Sequence, residues 1–376
     1  MAEPAGHWGL SVGDRKLLLR FDGDGRIGSG HASRCLALGE AAGRRGLHPV
    51  FVARSLPEGL ETRMARAGDV VRVPDIGWEA EARKIDDDFD LAACVGIVLD
   101  VTTPYALEEI EAFRTYTHGL GTRCGVTVLD GLPPQTLYDK IETYDAVVIP
   151  YATFDAEGRS ESHGRIRMVG PEYFICGHAY AGDQDESRPF LEAGTRVLVT
   201  MGGADPCRLT QKAINALERL ERTLDVRVVV GPSFSEPLMD GIQASVSTGH
   251  HQYQIVEAPD TLAPHMRWCD IAVGATGLTK YELALTGTPS ILLSIDEAHA
   301  TINRPFEARL TSQHLGEYKD VSTEALGGAV EKLLSDVQAR QRMAEAGMQL
   351  VDGLGATRVL EEIEGIAARR HGGGPV

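Results

Sequence analysis

The chain has 376 residues, 43% of them apolar and 24% charged, a balance that fits a globular protein of two domains rather than a disordered or membrane-embedded one. Its formal net charge of −17 is spread along the chain and argues against nucleic acid as a partner, because neutralising phosphates takes clustered Lys and Arg. An anionic small molecule held by local donors stays open.

No run approaches the roughly 20 apolar residues of a membrane span. The opening "MAEPAGHWGLSVGD" lacks the basic flank and apolar stretch of a signal peptide. No membrane association is expected, and the cytoplasm is the expected location. Cys35, Cys94, Cys124, Cys176, Cys207 and Cys269 lie far apart without a CxxC pair, so they read as reduced, mostly buried thiols rather than a zinc site or disulfide framework.

The first predicted strand is "KLLLRF". The loop "DGDGRIGSGH" follows it, with a helix from about Ser33. Glycines let backbone N–H groups approach an anion, and a helix start adds its positive end. Asp22 and Asp24 read as loop formers. His31 stands where the loop becomes a helix; its ring either satisfies local backbone groups or serves as a general base, for which an ordinary imidazole pKa of about 6.5 is suited. Strands "HPVFVAR", "GIVLDV", "CGVTVLD" and "DAVVIPY" come next, with "ALEEIEAFRTY" as a covering helix. Runs apolar on both faces imply a parallel sheet with helices on both sides. The segment "FDAEGRSESHGRIRMVGPEYF" breaks this rhythm. Its Arg165 and Arg167 read as solvated loop charges, the alternative being a bidentate contact to an acidic sugar or acceptor.

After "GHAYAGDQDESRP" the cycle restarts with "TRVLVTMGG", "CRLTQKAINALERL", "DVRVVVGP", "YQIVEAP", "WCDIAVGATG" and "PSILLSI". The domain boundary is placed near residues 180 to 192, giving 1–185 and 186–376, with the C-terminal helices free to pack back on the first domain. Gly202 and Gly203 end the first strand of this half. Ala204 or Asp205 is a helix cap, and Pro206 suits the first helical position. Gly274, Ala275, Thr276, Gly277, Leu278 and Thr279 make a second donor-rich helix start. Glu282 on the next turns is either a solvated carboxylate or an acceptor for two ribose hydroxyls. Phe51, Gly231 and His265 read as structural, with a cleft position as the alternative. "ALGGAVEKLLSDVQARQRMAEAG" and "ATRVLEEIEGIAARR" are amphipathic helices, and "HGGGPV" reads as a disordered tail.

"IGSGHASRCLALG", "TMGGADPCRLT" and "GATGLTKYELALTGTPSI", in this order and separation, resemble the nucleotide-sugar hydrolases of the pseudaminic acid pathway and their spore-coat polysaccharide relatives, members of the GT-B superfamily. Ile27, Gly28, Gly30, His31, Arg34 and "CLALG" carry the resemblance most specifically. Asp100 and Asp130 lie at comparable strand ends. The resemblance implies a GT-B fold, two doubly wound Rossmann-like domains facing across a cleft, with the sugar and acceptor side in the first and UDP held by the second. It implies His31 as catalytic base, with Gly28, Gly30 and Arg34 near the sugar or acceptor. The resemblance further implies that Gly202, Gly203 and Ala204 face the diphosphate, as do Ala275 to Thr279, and that Glu282 contacts the ribose. No cofactor and no metal are expected, in keeping with the lack of a DxD-type site serving a transferred diphosphate, the "DGD" of Asp22 and Asp24 being read as loop-forming.

The sequence departs from that family after "SILLSI", where an Asn-Gln pair is usual. Here "DEAHATINRPFEARL" offers Asp296, Glu297, His299 and Asn303 to the sugar without a unique alignment. The expected reaction is metal-independent substitution at the anomeric carbon of a UDP-sugar with release of UDP. Water as nucleophile makes it a hydrolase. A hydroxyl or ring nitrogen of a small acceptor, such as a nucleobase or natural-product core, makes it an inverting glycosyltransferase. The third reading is a non-catalytic nucleotide-sugar-binding protein.

Overall fold

The computed structural model describes residues 15–23, 30–56, 58–91, 94–100, 106–119, 125–129, 144–152, 157–181 and 190–371. Gly28, Asp24, Cys124 and Asp130 lie outside them. The chain divides into two compact units, one of residues 1–151, 157–177 and 354–376, the other of 152–156 and 178–353.

The first unit opens with β1 (Lys16–Phe21), α1 (Gly30–Arg44), β2 (His48–Ala53), α2 (Glu58–Ala67), β3 (Asp69–Arg72) and α3 (Trp78–Phe89). It continues with β4 (Gly96–Asp100), α4 (Ala106–Gly119), β5 (Gly125–Leu129), β6 (Ala146–Ile149), β7 (Gly158–Ser162) and β8 (Arg165–Val169). The sheet runs β3-β2-β1-β4-β5-β6-β8-β7 and is parallel except for β7. Every residue of β4, β5 and β6 is buried, as expected of strands covered on both faces. Helix α1 starts at Gly30, three residues earlier than the sequence suggests.

The segment around Arg165 and Arg167 is a correction to the loop reading. It forms the β7–β8 hairpin, turning on His163 (φ 51°) and Gly164 (φ 73°), and paired left-handed residues suit a tight two-residue turn. β8 then lies beside β6. Arg165 and Arg167 are therefore half-buried strand residues. Arg165 Nε donates to the Tyr144 carbonyl at 3.0 Å, and burial pushes the Arg167 guanidinium pKa down.

The second unit contains α5 (His178–Ala181), β9 (Arg196–Thr200), α6 (Leu209–Leu217), β10 (Asp225–Val230), α7 (Glu236–Thr248), β11 (Gln252–Glu257) and α8 (Ala263–Trp268). Then come β12 (Ile271–Ala275), α9 (Thr279–Leu285), β13 (Ser290–Ser294), α10 (Glu297–Ala308), β14 (Gln313–Glu317), α11 (Thr323–Ser335) and α12 (Val337–Leu350). Its parallel sheet runs β11-β10-β9-β12-β13-β14. The amphipathic stretch expected as one helix is two: Asp336 ends α11 and caps α12, accepting from the Ala339 amide at 2.8 Å. The last helix, α13 (Gly355–His371), belongs to the first unit, where Val359, Leu360, Ile363 and Ile366 join the apolar core of β1, β4 and α1.

Both sheets share one winding order. The chain builds outward from its first strand, returns, and continues on the other side, so the reversal falls between β1 and β4 in one unit and between β9 and β12 in the other. Loops at the carboxyl ends of the two strands flanking such a reversal splay apart and leave a crevice, the usual ligand position in open α/β sheets. No helix among the described residues is long and apolar enough to cross a membrane.

Candidate functional site

At the reversal point of the first unit, β1 leads through the glycine loop into α1, whose second residue is His31, and β4 ends on Asp100. Phe21 and Asp100 are paired in register. This sets the end of β1 beside the end of β4, where the Asp100 carboxylate lies. His31 Nδ1 lies 2.6 Å from Asp100 Oδ1. Arg34, one turn further along α1, donates from Nε to Asp100 Oδ2 at 2.8 Å and from a terminal nitrogen to the Tyr151 hydroxyl at 2.6 Å.

Asp100 is fully buried and Arg34 is 3% exposed, while the His31 side chain keeps 16% of its surface. Burial alone would raise the Asp100 carboxyl, yet Arg34 and then His31 hold it down at about 2. Burial works against the Arg34 guanidinium too, but Asp100 drives its pKa up. Burial and the same carboxylate push the Cys35 thiol well up, so it is not a nucleophile. An ionised carboxylate accepts only, so His31 presents Nδ1–H to it, and the 3.4 Å approach of Arg34 to Nδ1 is a secondary contact. Among the described residues nothing bonds to Nε2, which is thereby the basic nitrogen of an oriented imidazole.

Of the sequence candidates here, His31 is placed to move a proton. Gly30 opens the helix beside it, Gly28 lies outside the described residues, and Arg34 is turned inward to Asp100. Asp100 and Tyr151 were not singled out as site residues. Asp22 is a loop former: its carboxylate accepts from the Arg54 amide at 2.7 Å.

At the reversal point of the second unit, exposed Gly202, Gly203 and Ala204 follow β9. Helix α6 begins at Leu209 rather than near Pro206, because the buried Asp205 carboxylate accepts from the Leu209 and Thr210 amides at 2.7 and 2.8 Å. Pro206 therefore lies in the turn before the helix. Gly231, which follows the last residue of β10, packs flush on this loop: a Cβ there would come 2.4 Å from the Gly203 carbonyl. Phe51 is core, fully buried. His265 faces Arg227 at 3.2 Å, and burial with that charge lowers its pKa.

Ala275 ends β12, and half-buried Thr276, Gly277, Leu278 and Thr279 lead into α9. Glu282 is half-buried on that helix. Burial pushes its carboxyl up to about 7, against the opposing hydrogen bond from the Tyr180 hydroxyl. After β13, Asp296 caps α10 by accepting from the His299 amide at 2.9 Å and faces the His299 ring at 2.7 Å. Glu297 pairs with Arg304 at 2.6 Å on the exposed side. Asn303 is fully buried, and its Nδ2 donates to Thr276 Oγ1 at 3.0 Å.

Glu218, His250 and His251 are the one grouping of metal-ligand type among the described residues. Its atoms are already engaged: His251 Nε2 meets the Leu217 carbonyl and its Nδ1 accepts from the Leu224 amide, while Glu218 holds His250 and Tyr253.

No protein-family model matches the chain. It is similar to the spore coat polysaccharide biosynthesis protein SpsG of Bacillus subtilis, 26% identical over 218 residues that make up 57% of this chain and 63% of that protein. It is also similar to the pseudaminic acid cytidylyltransferase and UDP-2,4-diacetamido-2,4,6-trideoxy-beta-L-altropyranose hydrolase of Helicobacter pylori, 26% identical over 158 residues, 42% of this chain and 26% of that one. The chain thus matches less than two thirds of the length of either relative. Among solved structures, Acinetobacter baumannii MurG superposes with a TM-score of 0.64 at 14% identity, covering 93% of this chain and 99% of that one. S. aureus MnaA, in a co-structure with UDP, gives 0.59 at 15%, covering 93% and 96%. Two parallel-sheet α/β units with such neighbours over nearly the whole chain make the fold GT-B.

Proposed function

We propose that the protein is an enzyme that substitutes at the anomeric carbon of a UDP-sugar and releases UDP, with water as the nucleophile. One observation carries the chemistry: the imidazole of His31 is bonded through Nδ1 to a buried, ionised Asp100 at 2.6 Å at the reversal point of a GT-B sheet. A nucleotide-sugar-binding protein without chemistry has no use for an oriented base, which favours the enzyme over the sensor. UDP as the leaving nucleotide is supported by the neighbour solved with UDP and by the relative named a UDP-sugar hydrolase.

In this reading the nucleophile's O–H proton passes to His31 Nε2 as its oxygen bonds to carbon one. The bond from carbon one to the UDP oxygen breaks, and its electron pair leaves with UDP. Asp100 stabilises the imidazolium that forms, as a carboxylate held ionised to about pH 2 can. Stabilising the negative charge that grows on the diphosphate is assigned to the backbone N–H groups of Gly202 to Ala204 and of Thr276 to Thr279 and to the threonine hydroxyls. Glu282 is assigned to the ribose hydroxyls. The same His31 serves a transferase equally well, and the structural neighbour named CalG4, the calicheamicin glycosyltransferase, keeps that reading in view.

The test is a panel of UDP-sugars incubated with the protein while UDP release is followed. Release without acceptor is the expected result. Release only on adding a small acceptor reassigns the protein as a glycosyltransferase, and saturable binding without release makes it a sensor.

A further inference from the structure

Lys280, on the first turn of α9, is 2% exposed, and among the described residues no carboxylate lies within ion-pair distance of it. Burial pushes its ammonium pKa down to about 7. An unpaired buried lysine is costly, and its neighbours show what it does. Nζ donates to the Ile302 carbonyl at 2.7 Å and to Asn303 Oδ1 at 3.0 Å, and it lies 4.9 Å from the centre of the Phe306 ring. Charged or neutral, the amine keeps two N–H donors for these two oxygens.

A carboxamide has one accepting and one donating end. With the lysine amine against the oxygen of Asn303, the amide cannot turn over without setting donor against donor. Its NH2 is therefore locked toward Thr276 Oγ1 and Ser294 Oγ, each at 3.0 Å. Ser294 in turn lies 2.8 Å from His314 Nε2. A threonine hydroxyl has one proton and two lone pairs. Because Asn303 donates into the oxygen of Thr276, the hydroxyl proton of Thr276 is left for another acceptor, and Thr276 itself is half-buried on the loop after β12.

We infer that Lys280 is a positioning residue that acts through Asn303 to commit the Thr276 hydroxyl to donate, so that this loop takes an acceptor-only group such as a diphosphate oxygen. The inference rests on the reading of this loop as the UDP site. It names a residue on the far side of Thr276 that touches no ligand itself.

The test is a double-mutant cycle on UDP binding, measured by calorimetry, with Thr276→Val, Lys280→Met and the two combined. Each single change raises Kd about tenfold, the loss expected for one hydrogen bond to a charged group. The pair together costs no more than either alone, because both remove the same donor. Asn303→Asp is the independent check, should Lys280→Met not fold: the introduced carboxylate accepts from Thr276, draws its proton inward and raises Kd similarly. A merely structural role for Lys280 gives losses that multiply to about a hundredfold, and that result, or an unchanged Kd in Lys280→Met, overturns the inference while leaving the UDP site standing. No UDP binding by the unaltered protein overturns the UDP reading and this inference with it.

Discussion

Asp100 carries two duties in one buried carboxylate, balancing the guanidinium of Arg34 and orienting the imidazole of His31. Asp100→Asn removes the charge and keeps the shape, so both duties fail together. Arg34 is left buried without a counter-charge, which costs about 3–5 kcal/mol of stability, and turnover falls about 10²- to 10⁴-fold with the loss of an oriented base. The acid limb of the stability curve gives a separate reading. The Asp100 pKa is held below its ordinary value, at about 2, so its contribution is complete above about pH 4 and lost as pH falls through 2. Denaturant titrations should show the unaltered protein losing about 2 kcal/mol from this group over that window, and the Asp100→Asn variant losing correspondingly less. His31 and Arg34 were legible in "IGSGHASR" because they share one short helix start. Asp100 as their partner was not, since it lies 69 residues from His31 and only strand order brings it there. A lone carboxylate closing an apolar run, "GIVLD", was the available signal.

Elements explain what single residues do not, because loops at strand ends take their shape from the strands beside them. Gly231 follows the last residue of β10 and faces the loop after β9 with no room for a methyl group. Gly231→Ala should displace the Gly202–Gly203 backbone, costing about 1–3 kcal/mol and weakening UDP binding; calorimetry that finds Kd unchanged removes Gly202 and Gly203 from the site. Helix α9 contributes a titration. Glu282 has its carboxyl raised to about 7 from an ordinary 4.5, so the folded state holds a proton the unfolded state has released. Its stabilising contribution is whole below about pH 4.5 and is lost as pH rises through 7, a difference of about 3 kcal/mol. Glu282→Gln should flatten stability between pH 5 and 7.5, and an unchanged slope would show that Glu282 titrates normally. The glycine and threonine loops were plain in the sequence. The start of α6 was not, because Asp205 reaches forward to Leu209 and Thr210 and local propensity placed the helix at Pro206.

At the scale of the whole molecule the alternation of apolar runs with helices gave the doubly wound architecture, since strands buried on both faces leave few other arrangements. The β7–β8 hairpin escaped because "GRSES" is exposed and polar, with none of the apolar pattern that marks an inner strand. Helix α13, the end of the chain, lies in the core of the first unit. Val359, Leu360, Ile363 and Ile366 are almost wholly buried there, and at about 1.5–3 kcal/mol each they contribute on the scale of a domain's entire stability. Deleting residues 354–376 should unfold the first unit and spare the second. Hydrogen exchange would then show protection lost in β1, β4 and β5 and kept in β9, β12 and β13; protection retained in both sheets would refute that assignment. The most direct measurement of the central claim is UDP release from a UDP-sugar that the protein turns over, compared between the unaltered chain and His31→Ala at equal folded concentration. The dyad account predicts a fall of about 10²- to 10⁴-fold with the melting temperature unchanged, and full turnover by His31→Ala would contradict it.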